Sequence, residues 1–135
     1  MRVDTTSDSP SWTNVFEITD ELNGLSETLE KKYPNLDLEL AVCVRCVPKK
    51  LERKNICRYY GKDKMLGLDI ALDEEDFVPL KKDKTAQRKL IGAAFVSFFA
   101  ESVKKYEKKI PDFQPFSTQL IADVQQWCAE NEWTT

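Results

Sequence analysis

Histidine is absent from all 135 residues. That excludes Ser-His-Asp and Cys-His triads, an imidazole acid or base working near neutral pH, and the commonest transition-metal ligand. Long apolar runs are missing too. The longest window, residues 90–100, is interrupted by Gly92 and Ser97 and is too short to span a bilayer. The first residues carry no apolar stretch of the kind a secretory signal needs, so a cytoplasmic protein is expected. A second C-x-x-C is lacking, and so is the D-x-D-x-D-G spacing of an EF-hand. No internal repeat or low-complexity linker is visible. Carboxylate, lysine, tyrosine and cysteine chemistry are what remain for an enzyme.

The single C-x-x-C, Cys43 with Cys46, lies in a segment that alternates like a strand. Residues three apart on a strand point to opposite faces, so the two sulfurs diverge. Reduced structural thiols are the expectation, with no zinc, cofactor or redox pair.

Hydrophobic residues make up 41% of the chain and charged residues 32%, the balance of a globular protein with a charged surface. A single domain over 1–135 is expected, with 1–11 a flexible lead-in. The net charge of −3 hides blocks. Residues 1–39 hold three basic against nine acidic side chains, and 40–68 hold eight against two. Residues 69–80 hold none against five, 81–109 nine against three, and 110–135 none against four. Such alternation argues against a simple nucleic-acid binder, which carries a net basic field.

Val15, Ile18, Leu22, Leu25, Leu29 and Tyr33 recur at helical steps, with Asn14 and Glu17 as a capping box and Pro34 as the stop. Leu38, Leu40, Val42, Val44 and Cys46 share one face of a following strand. After a basic loop at 49–54, residues 56–60 and 65–72 read as a hairpin around Gly61. Leu66, Leu68, Ile70 and Leu72 point inward on its second strand, and Met65, Gly67, Asp69, Ala71 and Asp73 outward. Asp83 caps a long helix from Thr85 to Lys108, with Ile91, Ala94, Phe95, Phe98, Phe99, Ser102 and Tyr106 as its buried stripe. Ser117 caps a last helix bearing Leu120, Ile121, Val124, Trp127 and Cys128 on one face. The order α-β-β-β-α-α predicts an α+β fold, a small antiparallel β-meander of about three strands packed against the N-terminal, long and C-terminal helices.

Four constellations stand out. Asp69 and Asp73, followed by Glu74, Glu75 and Asp76, can bind a divalent metal, act as an acid–base pair, meet a basic partner, or simply be solvated. Tyr59 and Tyr60 beside Arg58 suit an interface, base stacking, or a sheet rim. The lysine clusters at 49–54 and 104–109 can touch phosphate or stay solvated. Trp127 fits the core, while Trp12 and Trp133 can pack on each other or on the body.

The run RYYGKDKMLGLDIALDEEDF at 58–77, followed by the long helix, resembles small bacterial immunity proteins. These are the cytoplasmic antidotes of polymorphic and contact-dependent growth inhibition toxins. The shared pattern is a charged hairpin, a strand of LxLDIxL type, an acidic step with an aromatic, and a helix ending Tyr-x-Lys-Lys; it covers residues 38–110. The resemblance implies a non-enzymatic inhibitor of a cognate toxin C-terminal domain, often a nuclease with a basic cleft. Tyr59, Tyr60, Asp69, Asp73, Glu74, Glu75 and Asp76 are then the candidate partner-binding residues. No membrane contact is expected, nucleic acid is not the expected partner, and self-association stays open. Two other readings remain: a nucleic-acid adaptor using Arg58, Tyr59 and the basic clusters, and a carboxylate-based metal enzyme using Asp69 and Asp73.

Overall fold

The computed structural model describes residues 2–8, 19–46, 55–110 and 113–134. Strand β1 is Arg2–Asp8, helix α1 Thr19–Lys32, β2 Glu39–Cys46, β3 Ile56–Tyr60 and β4 Met65–Leu72. A short helix α2, Glu74–Phe77, and a 3₁₀ turn, Val78–Lys82, lead into α3, Lys84–Ala93. A π-helical stretch, Ala94–Phe98, joins α3 to α4, Phe99–Tyr106. Ala93, Ala94, Phe98 and Phe99 all keep right-handed helical backbone angles, so the three pieces form the predicted long helix. Helix α5, Ser117–Glu130, follows.

The α+β class holds, but the sheet is not an antiparallel meander. Its order is β1-β2-β4-β3, with β2 parallel to both β1 and β4, and only β3 antiparallel to β4. Leu66, Leu68 and Ile70 give β4 a buried row on its helix-covered face, and β4 sits between β2 and β3, which pair its backbone on both sides. β3 has five residues, short enough to serve as an edge. Within the expected flexible lead-in 1–11, Arg2–Asp8 forms a strand, and the remaining positions lie outside the described residues. Parallel strands need a crossover, and α1 provides it between β1 and β2. Asn14, Val15, Ile18, Trp12 and the loop 49–54 lie outside the described residues.

The register puts Val3, Leu40, Leu66 and Tyr59 in one row, and Val42, Leu68 and Cys57 in the next. This face meets Leu22, Leu25 and Leu29 of α1, and Ile91, Phe95, Phe99 and Val103 of the long helix, in one buried cluster. Each large side chain so buried contributes roughly 1.5–3 kcal/mol before conformational entropy is counted. The π stretch is tied to α5 by Gln125 Nε2, which donates to the Val96 carbonyl at 3.0 Å. No helix among the described residues is long and apolar enough to cross a membrane.

Two polar locks hold the helices. Arg88 grips Glu21 with two hydrogen bonds, 2.8 and 3.1 Å, joining α3 to α1. Asp123 on α5, almost fully buried, accepts from Lys32 Nζ at 2.7 Å, from Gln119 Nε2 at 2.9 Å and from the Tyr33 hydroxyl. Burial alone would push the Asp123 carboxyl up. The bonds from Lys32, Tyr33 and Gln119 and the Lys32 charge outweigh it and hold the carboxyl below its ordinary value.

Helix α5 does not use Ser117 as its cap. Phe116 occupies that place, and the Ser117 hydroxyl donates to Glu107 at 2.8 Å. Its C-terminus closes in a Schellman turn. Trp133 N–H donates to the Cys128 carbonyl and Glu132 N–H to the Ala129 carbonyl, with Glu132 left-handed at φ 62°. The turn drops Trp133 into the core, edge-on to Trp127 at 5.0 Å between centroids. There its carbonyl lies over Gly92, where an added Cβ would stand 2.3 Å from the oxygen.

Helix propensity alone favours Gly92→Ala by about 1 kcal/mol, whereas this contact opposes it. Gly92→Ala is expected to destabilise by roughly 1–3 kcal/mol in urea unfolding, and a gain in stability would refute the close approach. The Asp123 carboxyl predicts an acid limb. A depressed folded value means its contribution is complete above the ordinary 3.8 and is lost as pH falls through the folded value. Asp123→Asn is expected to lower stability near neutrality and to flatten the loss below about pH 4, read by urea unfolding across the acid range.

Candidate functional site

Among the described residues, helices cover one face of the sheet and leave the other bare. On the other, strand alternation presents Glu39, Ala41, Cys43 and Arg45 from β2, and Met65, Gly67, Asp69 and Ala71 from β4. Ile56, Arg58 and Tyr60 come from β3. All of these side chains keep solvent access. Register brings the small ones together: Ala41 pairs with Gly67, which pairs with Arg58, and Cys43 pairs with Asp69, which pairs with Ile56. The result is a shallow depression of about 220 Å³ with Ala41, Cys43 and Gly67 in its lining and Ile56, Arg58, Tyr60, Met65 and Asp69 around them.

The Tyr60 ring leans over Gly67, where a Cβ would meet its Cε2 at 3.2 Å. Ile56 and Tyr60 are 40% and 41% exposed, large apolar surfaces left open on this face. Arg45 Nη2 reaches Asp69 Oδ2 at 3.0 Å, diagonally across β2 and β4. Arg58 has no ion pair among the described residues.

The seven candidate residues separate. Tyr60 and Asp69 share the bare face. Tyr59, one residue before Tyr60, points to the opposite side and packs against Tyr106 at 6.3 Å between ring centroids. Asp73 is not an outward acid. It is buried, and its Oδ1 accepts from Asp76 N–H at 2.9 Å as the cap of α2. β4 has ended at Leu72, so strand alternation no longer governs position 73. Helix capping does, and it turns the carboxylate inward. Phe77, buried, anchors the other end of α2, and Glu74, Glu75 and Asp76 stand exposed between the two anchors.

Both sheet edges meet a hydroxyl from a helix. Ser26 Oγ accepts from Val3 N–H at 2.9 Å and lies 3.3 Å from the Val3 carbonyl, to which it donates. Tyr106 donates to the Cys57 carbonyl at 3.1 Å, beside a depression of about 410 Å³ lined in part by Phe98 and Ser102. Two buried thiols carry no visible chemistry. Burial pushes Cys57 up, and Cys128 up to about 12, away from the reactive thiolate. Among the described residues no three His, Cys, Asp or Glu side chains group as a metal site would require.

Sequence reasoning missed the depression, because Ala41, Cys43 and Gly67 become neighbours only through parallel pairing of β2 with β4. It also missed the Arg45–Asp69 pair for the same reason. The alternation of small outward residues on both strands was the available signal.

Among the described residues, the chain is a small α+β layer with helices on one sheet face and an acidic turn after its β4 strand, and its family match makes it an immunity protein of a bacterial toxin system. The family model that matches is that of Immunity protein 44, over residues 1–130, and the chain belongs to that family. No curated protein and no solved structure matches. Membership assigns toxin neutralisation in general terms, a role that is generally non-enzymatic.

The two classes of acid predict different stability effects. Asp73→Ala is expected to cost about 1–2 kcal/mol, because it removes a buried cap. Glu74→Ala is expected to stay within about 0.5 kcal/mol of the parent in thermal unfolding. Equal effects would refute the division.

Proposed function

We propose that this chain neutralises the C-terminal toxin domain of its own polymorphic or contact-dependent inhibition system by direct protein–protein contact in the cytoplasm. The contact surface is the bare sheet face, with Tyr60 and Asp69, together with the acidic turn Glu74, Glu75 and Asp76. Tyr59 and Asp73 support it from behind. The observation that carries this reading is the anchoring of α2. Three exposed carboxylates sit on one turn held at both ends by the Asp73 cap and buried Phe77. An acidic surface fixed in this way loses little conformational entropy when a partner docks. It complements a basic surface, such as the phosphate-binding cleft of a nuclease, and steers encounter by its field.

The test is charge reversal of Glu74, Glu75 and Asp76 to lysine together. The probe is a catalytically inactive form of the toxin domain encoded by the adjacent reading frame. Association is expected to slow by about tenfold or more at low salt, the salt dependence to shrink, and protection of toxin-expressing cells to weaken. Unchanged association and protection would overturn the acidic contact.

A further inference from the structure

Acids on an exposed turn act mainly on the rate of encounter with a basic protein and on its salt dependence. Recognition of one toxin needs relief and an unmet chemical demand. The sheet edges offer little of either. The outward backbone groups of Val3 are taken by Ser26, and the Cys57 carbonyl is taken by Tyr106. A strand added at those positions would have to displace a helix hydroxyl.

The bare face offers both. Ala41, Cys43 and Gly67 lower its centre, and Ile56 and Tyr60 raise its β3 side, enclosing about 220 Å³. Burial of a bulky apolar side chain there would cover the open surfaces of Ile56 and Tyr60. The charges of the face are not balanced alike. Arg45 and Asp69 answer each other at 3.0 Å, while Arg58, between Ile56 and Tyr60 on the same strand, has no ion pair among the described residues. A guanidinium flanked by an aromatic and an aliphatic side chain is suited to a planar carboxylate, which it can grip with two parallel hydrogen bonds.

Resting on the proposed toxin neutralisation, we infer that the bare face is the specificity determinant: the depression takes a bulky apolar side chain of the toxin domain, and Arg58 takes an Asp or Glu beside it. The acidic turn then governs how fast the complex forms, and Arg58 with the depression governs how long it lasts.

The experiment measures association and dissociation rates of the inactive toxin domain on the full chain by surface plasmon resonance. Arg58→Glu, Arg58→Lys and Ala41→Phe are compared with the charge-reversed acidic turn. Arg58→Glu and Ala41→Phe are expected to raise the dissociation rate by about tenfold or more, with association changed by less than about threefold. Arg58→Lys is expected to fall between parent and Arg58→Glu, because it keeps the charge and loses the fork. Circular dichroism and unfolding midpoints check the fold; Arg58 is exposed, so its variants keep the test decisive if Ala41→Phe misfolds. Parent-like dissociation of Arg58→Glu overturns the inference, and if the acidic-turn variant still slows association, the proposed function stands. Failure of the parent chain to bind the toxin domain overturns both. A change in self-association without a change in toxin binding also overturns the inference.

Discussion

β4 is hydrogen-bonded along both sides, to β2 in parallel and to β3 in antiparallel register. Its inward row of Leu66, Leu68 and Ile70 lies in the core cluster with the phenylalanines of the long helix. Everything else is arranged around that strand. It lies inside the sheet, with β3 at an edge on one side and β2 running parallel to it on the other. Its N-terminal end is turned by the hairpin at Gly61, and its C-terminal end releases the chain into α2. One strand thus orients the core on one side and the bare face on the other.

The acidic residues that follow illustrate how a single run of charge divides by position. Asp69 is still in the strand and faces out, where Arg45 meets it. Asp73 is past the strand, and its carboxylate turns inward to accept from the Asp76 N–H at the start of α2. Glu74, Glu75 and Asp76 then occupy a helical turn whose last residue, Phe77, is committed to the core. The favourable placement of negative charge at a helix N-terminus supports the same arrangement. Stability and surface charge are served by neighbouring carboxylates with no conflict between them.

Hydroxyls carry a second structural theme. Ser26 and Tyr106 reach from opposite helices to the two outermost strands and satisfy backbone groups that a sheet edge leaves open. Helices on one side therefore do more than cover apolar area. Among the described residues they leave the opposite face of the sheet uncovered, with relief supplied by small side chains in register.

The sequence by itself determined the α+β class, the helical stripes of α1, the long helix and α5, the hairpin of β3 and β4, and the inward leucines. These follow from periodicity, which depends on neighbours in the chain. The run at 58–77 also carried the likeness to immunity proteins, and the family match over residues 1–130 agrees with it. Tertiary structure decided the rest. The parallel pairing of β2 with β4 joins residues about 26 apart, such as Leu40 and Leu66, and no local signal states which strands will be neighbours. The polar segment Arg2–Asp8 became a strand because α1 could carry the chain back beside it, although Val3 is its one large apolar residue. Tyr59 and Tyr60 parted because alternation sends adjacent residues to opposite faces, and only the helices define which face is inside. The depression under Tyr60 exists only where three strands bring Ala41, Cys43 and Gly67 into one place. Periodicity acts within an element, whereas a site between strands is set by which buried rows pack best together.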